Sequence, residues 1–158
     1  MRTDHLTEAP VVNARMLIRR PVGEVFQAFV DPEITTRFWF TKSSGRLEPG
    51  AEVTWTWEMY CVSTLVTVHE VVENERIVVE WDSDAPTRID WRFQPTEDGH
   101  TIVRITESGY HGTADEAVGR AIDSMGGFTM VLAAAKALLE HDIVLTVVAD
   151  AHPAGGPE

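Results

Sequence analysis

The sequence predicts an α+β fold in which a curved antiparallel sheet wraps one long C-terminal helix. Three observations carry this reading. Apolar residues alternate with polar ones through the middle of the chain, in Ile77, Val79, Trp81, then Ile89, Trp91, Phe93, then Val103, Ile105. After about residue 115 the apolar spacing changes to three and four, through Ala121, Met125, Phe128, Leu132, Ala135 and Leu139. Short turn-rich breaks at EPG, ENE, DSDAP and TEDGH separate the alternating runs.

Taken in order, residues 11–19 (VVNARMLIR) form a first strand, and Pro21 suits the first turn of a helix reaching about Val30, with Val22, Val25, Phe26 and Phe29 at helical spacing. Asp31-Pro32 ends that helix, and EITTRFWF makes a second short turn that brings Phe38, Trp39 and Phe40 to the body of the protein. Strands are expected at 45–48, 51–60, 62–72, 76–82, 87–94 and 101–108. The final helix runs from about 115 to 141. Thr113 and Glu116 have capping-box spacing at its start, and Asp142 suits a left-handed end. A sheet with one wet face must cover the other, and only the long helix is large enough to do so. Curvature around that helix leaves room for a cavity between them.

A chain of 158 residues is expected to form one domain over 11–150, with tails at 1–10 and 151–158. Its formal net charge of -12 opposes nucleic acid and anionic lipid as partners. Cys61 is the only cysteine, which excludes an intrachain disulfide and fits a reducing cytoplasm. The polar start MRTDHLTEAP lacks the apolar region of a secretory signal, and Thr129 and Lys136 interrupt the longest apolar stretch, so neither secretion nor membrane insertion is expected.

The stretch EVTWTWEMYC places Val53, Trp55, Trp57, Met59 and Cys61 on one side of a two-residue repeat. Two readings stand: ordinary core against the helix, or the wall of an apolar pocket. Glu107 continues the inward register of Val103 and Ile105, so its carboxylate needs partners, from backbone donors or an arginine such as Arg37, or serves as a polar anchor in the cavity. Tyr110 and His111 follow that strand, and His111 is a candidate acid or base. Gly126-Gly127 lies within the long helix, where each glycine costs about 1 kcal/mol relative to alanine. Either close approach to the sheet or a bend that opens the cavity would account for the pair.

Several apparent motifs lack their chemistry. The segment HEVVE at 69–73 has no second histidine and sits in a strand, and Asp82-Ser83-Asp84 lacks the rest of a calcium loop. No phosphate-binding glycine loop or nucleophile elbow occurs. No metal, nucleotide or other cofactor is expected.

Four stretches, RRPVGEVFQAFVDPEITTRFWF, GAEVTWTW, ERIVVEW, and RITESGYHGT with GGFTMVLAAAKALLEHDI, together resemble the START-like (SRPBCC) superfamily. They resemble in particular its bacterial branch homologous to the heat-shock-chaperone ATPase activator, alongside polyketide-cyclase-like proteins. The resemblance spans about 11–150. It implies a helix-grip fold with a cavity between sheet and C-terminal helix, and its ESGY stretch puts Glu107 near that cavity. No match to the charged chaperone-stimulating motif of the larger activator is found.

The expected function is non-enzymatic binding of a small apolar or amphipathic molecule, touched by Trp39, Trp55, Trp57, Met59, Trp91, Met125 and Phe128 and oriented by Glu107. A cyclase- or hydrolase-like enzyme using Glu107 with Tyr110 or His111 is the alternative. A third reading is a protein-interaction module: a chaperone cofactor, or a homodimer that covers the apolar segment IVLTVVA at 143–149.

Overall fold

The alternating runs pair into one seven-stranded antiparallel sheet in the computed structural model, which describes residues 8–153. Residues 1–7 and 154–158 of the expected tails lie outside the described residues. The chain runs β1 (Val12–Ile18), α1 (Val22–Val30), α2 (Pro32–Thr35), β2 (Lys42–Ser43), β3 (Glu52–Trp57) and β4 (Val62–Val72). It continues as β5 (Arg76–Trp81), β6 (Thr87–Pro95), β7 (Thr101–Ser108), α3 (Ala114–His141) and α4 (Val147–Asp150). The strand order is β1-β7-β6-β5-β4-β3-β2, so the first strand pairs with the last and α1 and α2 bridge from one edge to the other.

One face of the sheet is dry. Val53 and Trp55 on β3, Val66 and Val68 on β4, Ile77 and Val79 on β5, Ile89, Trp91 and Phe93 on β6, and Val103 and Ile105 on β7 are all buried. Register brings these residues side by side, with Trp91 paired to Ile77 across β5 and to Ile105 across β7. The two-residue period thus becomes a continuous apolar surface.

α3 covers that surface. Thr113 Oγ1 accepts from the Glu116 N–H at 3.2 Å, and Glu116 Oε2 accepts from the Thr113 N–H at 3.3 Å, so the expected capping box forms. Gly112 precedes it at φ 104, where an added Cβ would lie 2.4 Å from Glu116 Oε2, so only glycine fits this approach. Asp142 ends the helix in the left-handed conformation at φ 53. At the far end Lys136 Nζ donates to Leu17 O at 2.8 Å, and the Arg19 N–H donates to Glu140 Oε2 at 3.1 Å, which ties α3 to β1. By length and composition α3 is apolar enough to cross a membrane, yet Ala117, Ala121, Phe128, Val131, Leu132 and Ala135 are buried against the protein's own core.

Two expected strands differ. Residues 45–48 form no strand, because Leu47 is buried and its N–H donates to Val30 O at the end of α1 at 3.1 Å instead of joining the sheet. β2 lies earlier, at Lys42–Ser43, paired with Thr56 and Trp55. The strand expected over 51–60 stops at Trp57, and Glu58–Tyr60 forms a single 3-10 turn closed by Cys61 at φ 51. The turn contains no glycine or proline, so the apolar alternation ran straight through it. The consequence falls on Met59, which leaves the inward register and is 39% exposed.

Of the two roles considered for Gly126-Gly127, the structure removes one. An added Cβ at either glycine meets nothing within 4 Å, so close approach to the sheet does not explain them. Gly126 is exposed. Gly126→Ala is therefore expected to stabilise the fold by about 0.5–1 kcal/mol, raising the thermal midpoint by about 2–4 °C. A lowered midpoint in differential scanning calorimetry would show that the glycine serves the helix in another way.

Candidate ligand-binding site

The site begins with how Trp39 is delivered. Asp31 caps α2 by accepting the Glu33 N–H at 3.0 Å, and the buried Thr35 hydroxyl donates to Ala28 O at 2.6 Å. The chain then turns inward with Phe38, Trp39 and Phe40, all buried. The Trp39 ring centre lies 4.9 Å from Trp55, 6.0 Å from Phe128, 6.1 Å from Trp81 and from Trp91, and 6.2 Å from Trp57. These spacings are those of favourable offset and edge-to-face aromatic pairs.

On one side of Trp39 the packing is closed. Trp55 stacks on Phe40 at 4.6 Å and is 1% exposed, and Trp91 is equally buried. The Trp91 indole N–H has no hydrogen-bond partner among the described residues. On the other side the packing stays open. A cavity of about 390 Å³ is walled by Trp39, Trp57, Trp81 and Phe128, with Ser124 and Gly127 of α3 above and Tyr60, Val148 and His152 at its edge.

The inward line of α3 explains the opening. Its buried residues centre near Ala117, Phe128 and Ala135, and Ser124 and Gly127 fall on that same side. Two positions that would carry large apolar side chains in a filled core carry a serine and a glycine. Met125 lies about a quarter turn away and is 43% exposed.

Glu107 stands beside this cavity, 2% exposed. Its register on β7 pairs it with Ile89 of β6 and Val12 of β1. The partners are neither backbone nor Arg37, which instead pairs with Asp142 at 3.2 Å on the surface. Glu107 Oε2 accepts from Trp81 Nε1 at 2.7 Å and from the Thr87 hydroxyl, and Oε1 accepts from the Tyr110 hydroxyl. Trp81 Nε1 also lies 2.8 Å from Thr87 Oγ1. Three donors from β5, β6 and the loop after β7 satisfy a carboxylate that would otherwise be costly to bury. Burial, reinforced by the bond to Glu107, pushes the Tyr110 phenol well above its usual value of 10.0.

Glu107 also borders a second compartment of about 420 Å³, which shares Trp57, Val62, Trp81, Asp123 and Ser124 with the first. Its lining is more polar than that of the first: Ser63, Thr64, Asp82 and Arg120 join Glu107 there. Apolar and polar compartments are therefore neighbours, and Trp81 belongs to both, with its ring in the walls and its N–H on Glu107.

Of the sequence-predicted residues, Trp39, Trp57 and Phe128 line the apolar compartment and Glu107 lines the polar one. Trp55 and Trp91 lie in the core beneath them. Met59 and Met125 point away, and His111 is exposed beyond the loop.

The family described as "Activator of Hsp90 ATPase homolog 1-like protein" matches residues 19–140. The chain belongs to this family. No curated protein matches the sequence. Among solved structures, a crystal structure of a protein from Staphylococcus saprophyticus is 29% identical, with a TM-score of 0.75 over 86% of this chain and 96% of that one. The solution structure of the Aha1 dimer from Colwellia psychrerythraea is 20% identical, with a TM-score of 0.72 over 84% and 97% of the two chains. A Mesorhizobium loti protein is 18% identical, with a TM-score of 0.73 over 85% and 99%. These likenesses fix the helix-grip α+β fold of this activator-like chain within the START-like superfamily.

Sequence reasoning about the activator-like chain missed Trp81, Tyr60, Val148 and His152 as cavity residues. Trp81 had a usable signal, since it ends the same inward alternation as Ile77 and Val79. The C-terminal residues had none, because Tyr60 reaches them across the fold, donating to Val148 O and, at 3.2 Å, to Ala149 O.

The Tyr110–Glu107 bond makes a pH-dependent prediction. A phenol whose folded pKa is raised contributes stability fully present below its unfolded value, and that stability is lost as pH rises toward the folded value. Stability should therefore fall above about pH 10, by up to about 1.4 kcal/mol per pH unit, and Tyr110→Phe should flatten this fall while costing about 1.5–3 kcal/mol at pH 7. Urea unfolding at pH 8 to 11 measures both; equal slopes in the two proteins would refute the assignment.

Proposed function

We propose that this protein binds a small apolar or amphipathic molecule between the open end of the sheet and α3. The body of the molecule lies against Trp39, Trp57, Trp81 and Phe128, and its polar end turns toward Glu107. The observation that carries this reading is the pairing of an aromatic wall, in which Trp57 and Trp81 are only half-buried, with small residues, Ser124 and Gly127, on the inward line of the helix above it. Such a concave apolar site with few converging polar groups is the usual form of a small-molecule pocket. Membership of the activator-like family and the helix-grip fold support it. A reducing compartment such as the cytoplasm suits the exposed, unpaired Cys61.

Gly127 supplies the test. A leucine there gains helix propensity, its Cβ meets nothing within 4 Å, and the rest of its side chain has the cavity to enter. Gly127→Leu should keep or raise the thermal midpoint and weaken uptake of the fluorescent probe N-phenyl-1-naphthylamine by about tenfold or more. Unchanged uptake by the folded variant would remove the cavity as the site.

A second reading, self-association, rests on an outward stripe of α3. Val118, Ile122 and Met125 are 36%, 66% and 43% exposed and lie on neighbouring turns. The solved Aha1 relative from Colwellia psychrerythraea is a dimer. The IVLTVVA segment offers less, since Leu145, Val147 and Val148 pack on the core and only Ile143 and Val144 remain about half exposed, at 53% and 52%. A dimer through the stripe should sediment at twice the chain mass and fall to one chain mass in Ile122→Glu. Sedimentation as one chain before the substitution would end this reading.

A further inference from the structure

Charge and shape at the cavity restrict the polar end of its guest, granted the binding reading above. Glu107, Asp82 and Asp123 bring three carboxyl groups to the polar compartment, and Arg120 brings the one cation among its lining residues. Arg120 is engaged on several sides. Its Nη2 lies 3.6 Å from Asp82 Oδ2 and donates to Ala85 O at 2.8 Å, and its guanidinium sits 5.4 Å from the centre of the Tyr110 ring. Two carboxyl groups, Glu107 and Asp123, form no ion pair among the described residues.

Asp123 is exposed, lines both compartments, and takes part in no ion pair among the described residues. Glu107 is held by hydrogen bonds alone. A carboxylate has about four acceptor positions, and three are filled by Trp81, Thr87 and Tyr110. The fourth has no hydrogen-bond partner among the described residues. What completes it is a donor, and a carboxylate or phosphate on the guest has none to offer.

The apolar walls point the same way. The faces of Trp39, Trp57 and Trp81 carry the negative side of the aromatic quadrupole, and indole is the strongest natural partner for an organic cation. An ammonium group beside these rings and the carboxyl groups of Asp123 and Glu107 meets favourable charge, while Arg120 is turned to Asp82 and Ala85 O. The chain's net charge of -12 also draws cations toward the opening and repels anions.

We infer that the guest is an apolar or aromatic amine, bound as its ammonium form, and that the site discriminates against carboxylates of the same shape. The amine carbon frame fills the space beneath Gly127, and the ammonium lies between Asp123 and Glu107.

Three probes with one ring system test this: 2-naphthylmethylamine, 2-naphthylmethanol and 2-naphthoate, titrated into the full chain by calorimetry at pH 7, with the indole N–H resonance of Trp81 followed by NMR. The amine should bind about tenfold or more tightly than the alcohol, move the Trp81 resonance, and lose its advantage in about 0.5 M salt, while naphthoate should bind weakest. Asp123→Asn should bring the amine to within about threefold of the alcohol. Equal binding of amine and alcohol, or tighter binding of naphthoate, would overturn the amine inference and leave the cavity reading standing. Failure of all three probes to bind would overturn both.

Discussion

Trp39 is the contact on which the arrangement depends. A sheet this curved cannot be filled by one helix along its whole length, because a straight cylinder and a concave surface diverge toward one end. At the end where β1 and β7 meet α3, small residues let helix and sheet close: Ala14 on β1 and Ala117, Ala121, Ala134 and Ala135 on α3 are buried. Toward β3 and β4 the gap widens, and an indole supplied from outside the sheet fills part of it. Trp39 comes from the segment after α2, held by the Asp31 cap and the Thr35 hydroxyl, and touches aromatic rings from β3, β5, β6 and α3. One face of that wedge completes the core and the other becomes the floor of the cavity.

Glu107 plays the corresponding polar role. A buried carboxyl contributes little net stability, since desolvation offsets its hydrogen bonds, but satisfying it fixes the relative positions of whatever donates to it. Here the donors come from the end of β5, the start of β6 and the loop that enters α3. The Trp81 indole is the most consequential of them. Because its N–H is held by Glu107, its ring is fixed as a wall common to both compartments. The polar network thereby sets the shape of the apolar site.

The fold was largely legible in the sequence because its signals are local. Alternation in β5, β6 and β7 and the Thr113–Glu116 box each occupy a short stretch and need no distant partner. β4 and β7 were read with the bounds they have, 62–72 and 101–108. The break between β3 and β4 was read at 61, but the turn begins three residues earlier, since Glu58, Met59 and Tyr60 carry none of the usual turn chemistry. The inward position of Glu107 followed from register, but its partners did not, as Trp81 and Thr87 lie 26 and 20 residues away. The helix stripe misled at Met125 because hydrophobicity was followed where side-chain size mattered more. Ser124 and Gly127 hold the inward line there, and small residues give no apolar signal.

That substitution of size for hydrophobicity bears on why the cavity persists. A glycine in the middle of a 28-residue helix costs about 1 kcal/mol of propensity, and at position 127 no steric need offsets it, since an added Cβ would meet nothing. A side chain at that position would recover the propensity and add contact with the aromatic wall, so stability alone argues against glycine twice over. The half-buried indoles of Trp57 and Trp81 add a further cost, because apolar surface left facing water forgoes the burial that drives folding elsewhere in this core. Both costs fall at one place, the meeting point of the aromatic wall and the polar compartment. The proposed guest, covering the wall and meeting Glu107, would return what folding leaves unused there.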